Sequence, residues 1–269
     1  MKKAILITGA SSGIGRATAL YFGEKGWQVF ATMRNPDAFG KHENVIPLVM
    51  DVTSKPSIDD CFSRVWQHTI RLDAVVNNAG YGGFGAFELS TGEQRQHMYD
   101  VNVFGLMEVT QAVLPHFRQH RSGVIVNISS IGGLMTYPLY SVYHSTKWAV
   151  EGFSESLHYE LRPFGIKIKL IEPGVTKTHF SDRSLVKFTS LRIRDYDAYT
   201  QRLQKKAEET FKDAIPAETV ARKIYEAVTD GTDQLRYPVG NRRSVRLWRL
   251  RKWLPTAVFI KMIRNFSEK

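Results

Sequence analysis

Lys3-Ala4-Ile5-Leu6-Ile7-Thr8-Gly9-Ala10-Ser11-Ser12-Gly13-Ile14-Gly15 decides how the rest of this 269-residue chain is read. An aliphatic, β-branched run ends at Thr8, and three glycines follow in the pattern Gly9-x-x-x-Gly13-x-Gly15. Ile14, Ala17, Leu20 and Tyr21 then recur at helical spacing as far as Gly26. Glycines at a strand-to-helix turn let the backbone bend sharply and approach a pyrophosphate, which rests on the free N–H groups of the helix start. Gly9, Ser11, Ser12, Gly13, Ile14 and Gly15 are therefore candidate nucleotide-binding residues, although the same pattern also serves a tight turn without a ligand. The spacing is a variant of the GxGxxG dinucleotide fingerprint.

Outward from this turn, strand and helix patterns alternate. Residues 28–33, 45–50 and 73–77 read as strands, and 57–70 as an amphipathic helix through Ile58, Cys61, Phe62, Val65 and Trp66. Ser90-x-x-Glu93 has the form of a capping box opening a long helix toward Gln119. Residues 123–129 form a continuous apolar run of the kind buried on both faces of a parallel sheet. A long helix over 140–161 ends at Pro163 and Gly165, and a further strand follows over 166–171. Polar sequence from Thr176 to Asp213 breaks the rhythm before a helix over 216–231 and a last strand near 235–239. Repeated βα units imply an α/β fold: a single-domain, Rossmann-type, doubly wound parallel sheet of about seven strands, with helices on both faces and right-handed crossovers. Within this single domain over 1–269, about 1–180 is expected to carry cofactor and chemistry, about 176–215 a substrate lid, and about 241–269 a basic helical tail.

Composition excludes several other classes. With 43% hydrophobic and 23% charged residues, the chain suits one large core. Cys61 is the single cysteine, so no internal disulfide framework is available and a reducing, cytoplasmic setting is expected. The eight histidines are scattered without metal-ligand spacing, and no metal is expected. The apolar run behind Lys2 and Lys3 is too short for a signal peptide, and nothing approaches the roughly 20 apolar residues of a membrane span. Net charge is +11, but ten Lys/Arg and one acid, Glu268, lie between Arg236 and Lys269, so +9 belongs to the tail. With no nucleic-acid module alongside, that charge does not point to DNA or RNA.

The chemistry-bearing residues cluster after the fifth strand. Tyr143 and Lys147 stand four residues apart, hence on one helix face, and Ser130 precedes Tyr143 by thirteen. A lysine ammonium beside a phenol favours the phenolate and draws its pKa of about 10 downward. A serine hydroxyl from another element can hold a carbonyl or alcohol oxygen, a layout suited to hydride-transfer chemistry. Ser129 is adjacent to Ser130, and Tyr137 and Tyr140 are nearby phenols without a lysine four residues on. His144 reads as a packing or surface residue rather than a base. Asn102, at the centre of an apolar helix, is an awkward polar group unless it has a purpose. Asp51 and Val52 close the third strand, where an Asp either accepts from an adenine amino group or caps the next helix. Asn77-Asn78-Ala79-Gly80 closes the fourth; its small residues admit a cofactor, and Asn78 either reaches it or ties strand edges together.

In order and approximate spacing, the TGxxxGxG turn, Asn-Asn-Ala-Gly, Asn102, Ser130, Tyr143-x-x-x-Lys147 and Pro173-Gly174 resemble the short-chain dehydrogenase/reductase (SDR) family over roughly residues 3–180. The resemblance implies that Tyr143 gives and takes the proton, and that Lys147 lowers its pKa and binds the nicotinamide ribose. It implies that Ser130 steadies the reacting oxygen and Asn102 supports a water beside Lys147. It also implies cofactor contacts from Asp51, Val52, Asn78, Ala79, Gly80, Pro173, Gly174, Val175 and Thr178, and a homo-oligomer. By the same resemblance, Met33 stands where an acid reads the ribose hydroxyls of NAD; Arg34 follows it and suits bidentate phosphate binding. NADP(H) is the expected cofactor over NAD(H), with Arg16 as a helper, although Ser12 stands where NADP-preferring relatives often carry a basic residue.

Residues 131–140, with Tyr81, Phe84 and Phe87, supply an apolar and aromatic candidate wall, which favours a lipophilic alcohol or ketone over a sugar. The same aromatics are equally readable as lid and core. The pattern looks closest to the hydroxysteroid and retinol dehydrogenase branch. The expected function is an NADP(H)-dependent oxidoreductase interconverting an alcohol and a ketone or aldehyde on a steroid-like, retinoid-like or similar small lipophilic substrate. The competing reading is a catalytically silent nucleotide-binding sensor or scaffold of the same fold. In the tail, Arg242, Arg246 and Arg249 share one helical face while Val245 and Trp248 supply apolar surface. Such a helix either makes a peripheral contact with an anionic membrane or packs on the body or a partner subunit.

Overall fold

The computed structural model describes residues 2–178 and 185–268. The first half runs β1 (Ala4–Thr8), α1 (Gly13–Glu24), β2 (Gln28–Met33), β3 (Val45–Val49), α2 (Lys55–His68), β4 (Ala74–Asn77) and β5 (Gly82–Phe84). Then come α3 (Gly92–Tyr99), α4 (Gly105–His120), β6 (Gly123–Ile128), α5 (Ser141–Leu161) and β7 (Ile166–Pro173). Short strands β8 (Thr176–Lys177) and β9 (Leu185–Lys187) precede α6 (Asp197–Phe211), β10 (Ile215–Pro216), α7 (Ala217–Thr229) and β11 (Arg236–Val239). Helices α8 (Arg242–Arg251) and α9 (Thr256–Glu268) complete the described chain.

Seven strands form one parallel sheet in the order β3-β2-β1-β4-β6-β7-β11. Winding reverses between β1 and β4, and the crevice beyond the carboxyl ends of strands at such a point is where ligands bind in open α/β sheets. Alternation along each strand feeds two cores. Ile5 and Ile7 of β1 pack with Phe22, Val220 and Ile224 on the face covered by α1 and α7. Ala4 and Leu6 pack with Ile58, Val113, Phe117 and Leu157 on the face covered by α2, α4 and α5.

Two local expectations are corrected. The capping box is Thr91/Gln94, not Ser90/Glu93: Thr91 Oγ1 accepts from Gln94 N (3.1 Å), and Gln94 Oε1 accepts from Thr91 N (2.9 Å). Ser90 is drawn away because its hydroxyl donates to Phe87 O, 2.6 Å away, in the preceding turn. The helix expected to run unbroken toward Gln119 is split by a π turn, Asp100–Phe104, which the apolar period does not announce. The polar stretch 176–213 holds β8, β9 and α6 among its described residues; α6 buries Leu203 and is otherwise half-covered or solvated, so its apolar stripe is faint. Among the described residues no helix is long and apolar enough to cross a membrane.

Candidate active site

The chain leaves β1 through Gly9 (φ +64°) and Gly13 (φ +54°), in the left-handed region that strains any side chain. A Cβ on Gly9 would stand 2.8 Å from Ala79 Cα, and one on Gly15 would strike Asn78 and the Gly9 carbonyl. The glycine spacing is thus imposed by how closely the turn meets residues 78–80. Thr8 Oγ1 accepts from the Asn78 and Ala79 N–H groups (both 3.0 Å), while Asn78 Nδ2 donates to Thr8 O (2.9 Å) and Gly9 O (3.1 Å). Asn78 therefore ties the two strand edges together. A Cβ on Gly13 would lie 3.3 Å from Thr178, so the segment after Pro173-Gly174 meets the same turn.

These residues fit a dinucleotide. Ser12 makes no side-chain cap bond and α1 has no acid in its first turn, which leaves the helix start open to an anion. The Arg16 guanidinium stacks 4.9 Å from the Phe39 ring centre, and its buried Nη1 has no hydrogen-bond partner among the described residues. Met33 is buried at the end of β2, with Arg34 exposed beyond it. Asp51 behaves as a loop cap: its Oδ1 accepts from Thr53 N (2.9 Å) and Thr53 Oγ1 (2.7 Å). Burial works upward on this carboxyl, but the Thr53 bonds and the charges of Arg34 and His97 leave its pKa lowered. Val52, nearly buried, packs where Gly105 leaves no room for a side chain.

At the chemical end, Ser130 follows β6 and its Oγ accepts from Gly132 N (3.0 Å) while sharing a hydrogen bond with the Tyr143 phenol. Lys147, buried one turn along α5, donates to Ile128 O (2.9 Å) and lies 5.9 Å from the Tyr143 ring centre. Burial pushes the Tyr143 phenol up to about 12, opposed by the Ser130 bond, and pushes Lys147 down to about 8. The expected lowering of the phenol by its lysine is not what this geometry gives. Desolvation disfavours both charged forms, and the Lys147 amine is turned toward a backbone carbonyl.

Asn102, 1% exposed, has a clear purpose. Its Nδ2 donates to Tyr81 O (2.8 Å) and Thr146 Oγ1 (3.1 Å), and its Oδ1 accepts from Tyr81 N (2.9 Å). The π turn thereby clamps the segment after Gly80 to the helix that carries Tyr143. His144 packs as expected: its Nδ1 accepts from Tyr137 N (3.3 Å), and burial pushes it down to about 4. Ser129 Oγ is buried without a partner among the described residues. Among those residues no group of three or more His, Cys, Asp or Glu could hold a metal.

Sequence reasoning missed Thr8, Thr146 and a buried charge cluster. Tyr143, Lys147, Glu151 and Glu155 descend α5 at four-residue intervals, a visible signal. Arg236 at the start of β11 pairs with Glu151, with Glu155 (2.5 Å) and with Glu172 (3.3 Å), the residue just before Pro173-Gly174. Burial pushes Glu172 up to about 8, opposed by the Lys252 charge and by the Trp248 indole N–H, whose approach falls short of a well-formed bond. The cluster fastens the Tyr143 helix to β7 and to the tail. There, Trp248 and Phe259 are buried with Met135, against Ile131, Leu134 and Tyr137 of the candidate wall. The other side of the site is also apolar: Tyr143 touches a cluster of Met98, Val142 and Phe188, flanked by Tyr81 and Val186.

Comparison with known proteins places this architecture. Residues 3–186 match the short chain dehydrogenase family, and the chain belongs to it. It is similar to a 3-ketodihydrosphingosine reductase of Bacteroides thetaiotaomicron, 36% identical over 97% of each chain. It is also similar to an NADPH-dependent 3-dehydrocapnine reductase of Ornithobacterium rhinotracheale, 32% identical over 88% of each. A solved short-chain dehydrogenase from Streptomyces avermitilis shares the fold at a TM-score of 0.82 and 31% identity, covering 92% of this chain and 91% of that one.

Proposed function

We propose that this chain is an NADPH-dependent reductase acting on the ketone of a lipophilic, long-chain substrate. The observation that carries the reading is the Ser130–Tyr143 hydroxyl pair, backed by buried Lys147 and set among Tyr81, Val186 and Phe188. When bound, NADPH supplies the hydride. Ser130 and Tyr143 hold the carbonyl oxygen, and Tyr143 Oη gives its proton to the alkoxide that develops there. With its phenol pushed up to about 12, Tyr143 is protonated at neutral pH, the form a proton donor needs. Lys147 holds the base of the site through Ile128 O and meets the nicotinamide ribose, while Asn102 fixes Tyr81 against α5. Gly9, Ser11, Ser12, Gly13, Ile14 and Gly15 hold the pyrophosphate. Arg34 and Arg16 hold the 2′-phosphate, and Asp51, Val52, Ala79, Gly80, Pro173, Gly174, Val175 and Thr178 line the rest. The described part of 176–215 acts as the substrate lid; residues 179–184 of that range lie outside the described residues.

Support for the substrate class comes from the two reductases above, whose names place the ketone at position 3 of an aliphatic lipid. They favour a flexible chain over the steroid or retinoid skeleton. The same reading includes a homo-oligomer, with exposed Phe104 and Trp148 as large apolar side chains for a second copy to cover, and work at a lipid surface. Tyr143→Phe should retain NADPH binding and lose about 10²–10⁴-fold in turnover, the range for a positioned proton donor. Undiminished ketone reduction by that variant would remove Tyr143 from its role.

A further inference from the structure

The charge of the tail is not arranged to serve its own helix. Arg242 and Arg243 occupy the first turn of α8, which has no acid there. The helix dipole disfavours cations at that end, so these residues cost helix stability rather than add to it. At 3.6 residues per turn, Arg242, Arg246 and Arg249 fall within an arc of about 60°, and Trp253 lies in the turn that follows α8. That arc faces away from the body: the three arginines are exposed and Trp253 is 87% exposed, whereas Trp248 on the opposite side is 5% exposed. Among the described residues, none of the three arginines meets an acidic partner.

Helix α9 repeats the theme with apolar residues. Phe259, Ile263 and Ser267 form its inward stripe. One flank of that stripe carries Val258, Met262 and Phe266, each between 40% and 45% exposed. The apolar arc of α9 is therefore wider than the contact it makes. A cationic face followed by an exposed indole, with half-exposed Val258, Met262 and Phe266 (the last under the Lys206 ammonium) on the next helix, complements one surface chemistry: anionic headgroups over hydrocarbon.

We infer that α8 and α9 dock this protein on an anionic bilayer, with Arg242, Arg246 and Arg249 against headgroups and Trp253 at the headgroup boundary. The same two helices back the wall at Ile131, Leu134 and Tyr137, so docking sets the substrate side of the site beside the lipid phase. This deepens the reductase reading and rests on it for the purpose of docking, though not for its geometry.

The test is cosedimentation of the full chain with vesicles of phosphatidylcholine alone and of phosphatidylcholine with phosphatidylglycerol in equal parts. Reduction of a soluble short-chain ketone is followed in parallel. The chain should pellet with the anionic vesicles only and be released by salt, because the Debye length shrinks from about 10 Å at 0.1 M to about 3 Å at 1 M. Arg242→Glu/Arg246→Glu/Arg249→Glu should lower the bound fraction at least about tenfold, since each basic residue near an anionic leaflet contributes to binding. Trp253→Ser should weaken binding, and both variants should keep the short-chain activity. Equal binding by the arginine variant, absence of binding to either vesicle, or tail-dependent self-association without lipid would overturn the docking. Vesicle binding by a protein that reduces no ketone would instead overturn the reductase reading and leave the docking standing.

Discussion

The glycine turn and the C-terminal tail both lie at the carboxyl edge of the sheet and are held there by opposite means. At the turn, backbone meets backbone: Gly9 sits where a Cβ would press on Ala79, and the ties from Thr8 and Asn78 are short and polar. In the tail, two large side chains, Trp248 and Phe259, grip the Ile131–Gly133 turn and Met135, while most of both helices faces outward. The turn is fixed by side chains that must be absent, so its three glycine positions are constrained. The tail is fixed by a few anchors, which leaves its remaining positions free to carry charge.

Two tryptophans of the tail sharpen this contrast most. Trp248→Ala removes an anchor from beneath Met135 and should cost about 3–5 kcal/mol, as large-to-small core changes do. Trp253→Ala, five positions on and exposed, should stay within about 0.5 kcal/mol. Urea unfolding of the two variants separates them, and equal costs would mean that the tail is not held by anchors.

A smaller effect is expected where the turn reads its ligand. Arg34→Asp removes a guanidinium and adds repulsion; charge-assisted hydrogen bonds are worth about 1.5–3 kcal/mol, so the preference for NADPH over NADH should fall at least about tenfold. Binding constants for both cofactors measure it. An unchanged ratio would transfer the phosphate to Arg16, whose Nη1 is already buried and unpartnered among the described residues.

A third effect concerns the charge cluster that joins the two regions. Glu172 is raised from 4.5 to about 8, with burial as the leading cause. A group raised on folding gives stability that is fully present below its unfolded value and lost as pH rises through its folded value. The melting temperature should therefore decline between about pH 5 and pH 8, and Glu172→Gln should flatten the decline. The same slope in both proteins would assign the titration to another group.

What was legible in the sequence divides along the same line as the two regions. β1, the glycine turn and α1 were readable because a steric requirement writes itself locally, as glycine at fixed spacing. The Tyr143–Lys147 pair was readable because one helical turn brings both residues to one face. The π turn at Asn102 was not, since one extra backbone loop leaves residue types unchanged. Nor was the turn of Lys147 toward the Ile128 carbonyl, or the grip of Arg236 on Glu151 and Glu155. Those pairs lie 85 and 81 residues apart in the chain, and only the sheet order brings them together. In the tail, the arginine face was visible from its spacing, but Trp248 and Trp253 look alike in sequence and differ only in what lies beneath them.

The central claim is hydride transfer to a lipid ketone, and isotope transfer tests it most directly. Wild-type protein is given NADPH deuterated on the transferring face of nicotinamide C4, with an aliphatic long-chain 3-ketone as substrate, and the product is read by mass spectrometry. Deuterium should enter the carbinol carbon in step with NADPH consumed, and should not do so with Tyr143→Phe. NADPH bound by the wild-type chain, with no deuterium reaching any ketone of this class, would contradict the account.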